Sequence, residues 1–170
     1  MIGRVTLAAA LIGLALPAAA GPRPLDDLLQ GFDDACDYSD ALADLLQSSY
    51  AFARKEGAIA IPAGYEAVFG PPTVRPQDEY LHIVLPVTGG TWRGVPVKEI
   101  EVYITELASG FSYQAVVFPT DALKAAEAAF RERGLAAKKK LEKQDETGFG
   151  WDTGFAVTDG VPRYQCDLST

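Results

Sequence analysis

The chain is short of reactive side chains: 170 residues hold one histidine, His82, and two cysteines, Cys36 and Cys166. Each scarcity removes a class of chemistry. A hydrolytic triad needs a nucleophile, a base and a group that orients the base. His82 is the sole imidazole available, and it stands on the more polar side of an alternating pattern, where a solvated strand histidine is the expectation. The sequence has no His and Cys cluster at zinc spacing, no glycine-rich phosphate loop after a strand and no Gly-x-Ser-x-Gly elbow. No cofactor is expected. Basic residues are also few, 15 Lys and Arg against 23 Asp and Glu, so nucleic acid and anionic membrane surfaces are poor partners. Nor does any apolar run reach the roughly 20 residues that a membrane span needs.

The longest such run, residues 5–16, ends at helix-breaking Pro17. Arg4 stands before it, and Ala18, Ala19 and Ala20 close it. Charged, apolar and small residues in that order make a secretory signal, with cleavage expected near Ala20 and Gly21 in place of the cysteine that a lipid anchor requires. The expected location is therefore periplasmic or secreted. Residues 21–170 are enough for one hydrophobic core and one domain. Without Arg4 their charge is 14 − 23 = −9. In an oxidising compartment two cysteines, one near each end of that domain, read as a disulfide, Cys36 to Cys166.

Hydrophobic periodicity supplies the elements. Residues 25–36 repeat at helical spacing through Leu25, Leu28, Leu29, Phe32 and Cys36. A second group, Leu42, Leu45, Leu46, Ser49 and Tyr50, is rotated by about a quarter turn from the first. Two helices are expected, or one with a bend near residues 37–40, with Ser39 or Asp40 capping the second and Gly57 ending it. The Pro- and Gly-rich residues 62–76 read as an ordered loop over the core. Alternating patterns predict strands over residues 80–87, 95–107 and 111–118. Thr120 and Asp121 are expected to open a helix that Gly134 ends. A final hairpin turns at Thr158, Asp159 and Gly160 and places Tyr164, Cys166 and Leu168 on one face. The order implies an α+β fold: an antiparallel sheet of about five strands, with N-terminal helices and one later helix packed on one face.

Two segments carry the residue chemistry of recognition. Trp92 and Arg93 lie beside a turn between strands, and Phe149, Trp151 and Asp152 lie in a glycine-rich stretch that can hold large rings where a regular strand cannot. Trp and Arg supply a disproportionate share of interface energy. These five residues are the expected partner-binding set. The aspartates Asp33, Asp37, Asp40 and Asp44 read as a solvated stripe, since a straight helix is a poor calcium cage. Lys138, Lys139, Lys140 and Lys143 read as a solvated sheet edge. The sequence thus points to an exported, non-enzymatic binding protein, an inhibitor or immunity-type protein, with a basic extracytoplasmic protein as the expected partner. The alternative is a small enzyme or ligand carrier that uses a pocket carboxylate such as Glu99 or Glu101.

Overall fold

The computed structural model describes residues 21–105, 112–146, 148 and 150–169. The expected signal segment, residues 106–111 at the junction of the second and third expected strands, and Phe149 lie outside the described residues. In chain order the elements are β1 (Arg23–Pro24), α1 (Asp40–Ala53), β2 (Thr73–Gln77), β3 (Tyr80–Pro86), β4 (Gly90–Trp92), β5 (Val95–Pro96), β6 (Glu99–Thr105), β7 (Tyr113–Val117), α2 (Leu123–Gln144), β8 (Asp152–Thr158) and β9 (Val161–Asp167).

The fold is mixed α+β. Six strands form one antiparallel sheet in the order β2-β3-β6-β7-β9-β8, and β1, β4 and β5 form a small separate sheet in which β1 runs parallel to β4. The sixth strand of the large sheet is β2, which lies in the stretch expected to be loop. Proline hid it, because a residue without an N–H is disfavoured within a sheet away from edge strands and strand ends, and β2 is an edge strand with Pro76 opposite Leu81. The final hairpin closes as expected, with Asp159 and Gly160 both at positive φ between the paired Thr158 and Val161.

Register fixes which side chains share a face. Ile83, Val102, Gln114, Cys166 and Thr153 form one row across the strands, and Leu85, Ile100, Val116, Tyr164 and Phe155 include the next. These rows join one buried cluster with Leu42, Leu45 and Leu46 of α1 and Ala126, Phe130 and Leu141 of α2. Trp92 sits within it, its ring 4.4 Å from Phe130, 5.5 Å from Tyr164 and 5.9 Å from Phe32 by centroid. Gln114, the one buried side-chain amide of this face among the described residues, is satisfied by the hydroxyls of Tyr38, Tyr50 and Ser112.

The helices depart from expectation in instructive ways. Residues 25–36 are a succession of turns rather than a helix: Gly31, Ala35 and Cys36 all have positive φ, which breaks the ladder after a single α-type bond from the Leu29 amide to the Leu25 carbonyl. One turn is too short to propagate. The periodic residues are buried all the same. Ser39 caps α1 by accepting from the Leu42 amide at 3.1 Å. The helix ends at Lys55, not Gly57: the Lys55 amide donates to Phe52 and the Glu56 amide to Ala51, the paired bonds of a Schellman motif, with Lys55 at φ 62°. Thr120 opens a 3₁₀ turn without a side-chain cap, and α2 runs straight through Gly134. That glycine is needed for contact, since a Cβ there would lie 2.8 Å from Gly154 Cα and 2.8 Å from the Phe155 amide nitrogen. The lysine run consequently lies on α2 and not on a sheet edge.

Two substitutions test these assignments. Lys55→Gly removes a left-handed strain of about 1–2 kcal/mol against an entropy cost of about 0.5–1 kcal/mol, so a higher denaturant midpoint at unchanged slope is expected. Gly134→Ala improves helix propensity by about 1 kcal/mol but forces α2 off the β8 backbone. Overpacking of about 1–3 kcal/mol should win, and a lower midpoint is the expected reading.

Candidate binding surface

Trp92 is 1 % exposed. The expected exposed Trp–Arg pair is therefore split by the fold, and Trp92 is a core anchor rather than a surface one. Arg93, at φ 49° in the β4–β5 turn, points the other way. Its guanidinium grips Asp33 with two bonds, Nε to Oδ2 at 2.6 Å and Nη2 to Oδ1 at 2.9 Å, while its amide donates to Asp26. Arg133 of α2 lies 3.6 Å from the same Asp33 carboxylate. Asp33 is thus buried and paired, and the expected aspartate stripe is broken, with Asp37, Asp40 and Asp44 left exposed.

Trp151 is half-buried against the core cluster, with its indole N–H buried and unpartnered among the described residues. Asp152 begins β8 and accepts from Lys138 at 2.7 Å. The glycine-rich stretch before them wraps around the Asp145 carboxylate, which accepts from the amides of Gly148, Gly150 and Trp151. Backbone donors occupy that carboxylate, and no group of three metal-ligating side chains occurs among the described residues.

A surface that the sequence reading passed over lies on the sheet face turned away from the core cluster. There Arg75, His82, Tyr103, Tyr113 and Asp167 form one row across β2, β3, β6, β7 and β9, and Glu101, Ala115 and Gln165 lie in the next. His82 is not a solvated strand residue: its side chain is 14 % exposed, stacks on Tyr103 at 4.3 Å and 10°, and brings Nε2 to 3.4 Å from Glu101. That contact is at the long limit and poorly aligned, so it is electrostatic rather than a formed hydrogen bond. Arg163 completes the group, donating from Nη1 to Glu101 Oε2 at 2.9 Å. Tyr103 meets Tyr113 edge to face, 5.4 Å between centroids at 86°. Tyr80, Tyr103 and Tyr113, with Gln77 and Arg163, line a cavity of about 270 Å³.

No family model, curated protein or solved structure matches the chain. The site's chemistry therefore rests on its own geometry. Burial alone would raise the Glu101 pKa, but the contact with His82 and the charge of Arg163 outweigh it and hold the carboxyl below the usual glutamate range. A general acid in a cleft needs the opposite shift. Burial pushes the phenols of Tyr103 and Tyr113 up, which keeps both rings neutral. The sequence signal for this surface was present in the polar half of the strand alternation, where tyrosines recur at residues 80, 103 and 113. Neutral tyrosine rings read as ordinary strand formers until the register places them side by side.

Because the folded-state pKa of Glu101 lies below its unfolded value, its contribution to stability is full above about pH 5 and is lost as pH falls through the depressed value. Glu101→Gln leaves Arg163 without its counter-charge, a loss of about 3 kcal/mol at neutral pH. Urea unfolding at stepwise lower pH should show the gap between wild type and variant closing below about pH 4. A gap that is independent of pH would contradict the ion pair.

Proposed function

We propose that this chain is an exported binding protein, of the inhibitor or immunity type, that recognises a basic extracytoplasmic protein through the tyrosine-bearing face of its sheet. The observation that carries this reading is the grouping of Tyr80, Tyr103 and Tyr113 around one cavity on a sheet face outside the core cluster. Tyrosine supplies large contact area at small entropic cost and is enriched among residues that dominate binding energy.

Charge placement supports a basic partner. Helix α2 carries Lys124, Arg131, Arg133, Lys138, Lys139, Lys140 and Lys143 against Glu127, Glu132 and Glu142, a net +4, so the rest of the chain holds −8 − 4 = −12. The tyrosine face lies in that acidic remainder, with Asp78 and Glu79 in the β2–β3 turn and Asp167 opposite Tyr113. Such a field speeds encounter with a cationic partner and weakens with salt. Export is the matching location: the disulfide fits an oxidising compartment, residues 1–20 have the order of a cleavable signal, and no helix among the described residues is long and apolar enough to cross a membrane.

The test is retention of a periplasmic protein of high isoelectric point on the immobilised mature chain. Retention should fall with added salt and drop at least tenfold for the double variant Tyr103→Ala/Tyr113→Ala, whose fold is checked by circular dichroism. Equal retention by the folded double variant, or no basic protein retained by wild type, would refute the assignment.

A further inference from the structure

The cavity that the three tyrosines share has its own chemistry. At about 270 Å³ it is smaller than a drug-sized pocket, a volume suited to the head of one side chain or one small ion. Its walls are aromatic: Tyr103 and Tyr113 meet at 86° and so form a corner, and Tyr80 stands on the adjacent strand, one register step away. Ring faces carry the negative end of the aromatic quadrupole. Their phenols stay protonated, for the reason given above. The charge nearest Tyr80 has the same sign, while the cation Arg75 stands two strands from Tyr103 in the same row. Glu79, Asp167 and Asp78 act on the Tyr80 hydroxyl and raise its pKa, with a hydrogen bond to Glu79 as the largest cause.

Arg163 also lines the cavity, but its side chain is only 13 % exposed and its charge is met by Glu101 at 2.9 Å. Its Nε is sealed from solvent. It therefore serves as a fixed wall rather than as a donor for an anion. Aromatic corners rimmed by carboxylates attract cations with delocalised or alkylated charge, which lose less hydration than a metal ion does.

We propose that the Tyr80–Tyr103–Tyr113 cavity binds an organic cation, an alkylammonium or guanidinium head. This deepens the reading of the same face as a recognition surface and rests on it for the biological source of the cation. Two sources share that chemistry: a Lys or Arg side chain of a basic partner, and a small free quaternary ammonium compound.

The experiment is a titration of the mature chain, followed by aromatic NMR shifts, with choline, acetyl-lysine amide and acetyl-arginine amide. The neutral choline isostere 3,3-dimethylbutan-1-ol is the control. Saturable shifts of Tyr103 and Tyr113 are expected with the cations and not with the isostere. Tyr113→Leu and Tyr80→Leu should each weaken binding about tenfold, and Asp167→Asn should weaken the cations by a smaller factor. Tyr80→Leu, at the rim, keeps the test valid if a change at Tyr113 disturbs the fold. Stronger binding of the amino-acid amides assigns the cavity to a protein side chain, and stronger binding of choline assigns it to a free ion. Shifts from no cation, or equal shifts from the neutral isostere, would overturn the inference. The partner-retention result would still stand in that case, so the two readings fail separately.

Discussion

The link between Cys36 and Cys166 joins positions 130 residues apart, with their Cα atoms 5.7 Å from each other. Loop-closure entropy for such a span is worth up to about 5 kcal/mol. Its structural importance exceeds that figure, because Cys36 ends a segment with little regular hydrogen bonding of its own. Residues 25–36 leave the helical path at Gly31 and again at Ala35 and Cys36. What holds them is side chains: Leu25, Leu28, Leu29 and Phe32 in the core, the Arg93 fork on Asp33, and the disulfide to β9. Two consecutive left-handed residues without glycine cost of order 1–3 kcal/mol each and persist only where the surroundings over-determine them. Here the crosslink and the buried anchors on either side of Asp33 do so.

Once that segment is fastened over β9, the sheet has two unlike faces. Residues of the core face share one buried cluster with residues of the turns, α1 and α2 and with the rings around Trp92. Its polar exceptions are few, and Gln114 is fully bonded. Tyr164 shows the local dielectric: burial pushes its hydroxyl up to about 12. The opposite face must settle its polar groups among themselves. Apolar residues in place of both Glu101 and Arg163 would cost little in stability, whereas removing Glu101 alone strands a buried charge, and Glu101 is as buried as many core residues. The consequence of keeping it is positional. It holds Arg163 across Ala115 and stands beside His82, which in turn supports the Tyr103 ring from below. The buried charge pair thus lies directly beneath a row of half-exposed rings.

The parts of this architecture that were legible in the sequence are those governed by local rules. Strand alternation, the Asp159-Gly160 turn, the Ser39 cap and the inward aim of Cys166 each depend on residues within a few positions of one another. Failures occurred where a tertiary contact overrode the local signal. Gly134 has the composition of a helix terminus, but it is where α2 approaches the β8 backbone. Residues 25–36 have helical periodicity because they must bury one side in each turn, which coiled turns achieve as well as a helix. Pro76 argues against a strand unless that strand is known to be an edge. The tyrosine face was missed for a related reason. Trp92 drew attention by residue type, yet a large ring beside a turn can fold inward as readily as outward, and no local rule decides which. The three tyrosines lie 10 to 33 positions apart in sequence and become a site only through the β3-β6-β7 register.

Net charge was read correctly in sign but hides its distribution. An overall −8 excludes little by itself when one helix carries +4. Several α2 cations are already engaged: Arg133 with Asp33, Lys138 with Asp152 and Lys140 with Asp34. Each of these pairs is exposed on at least one side and contributes little to stability. Together they draw α2 against the turn segment and β8 and collect positive charge at that end of the sheet. The strands that carry the tyrosines are β3, β6 and β7, while α2 packs along β8 and β9. The local field at the tyrosine cavity is therefore set by Asp78, Glu79 and Asp167, opposed by Arg75 and Arg163, more than by the average of the chain. That segregation leaves Asp78, Glu79 and Asp167 beside a cluster of aromatic side chains that, among the described residues, lies outside the core cluster.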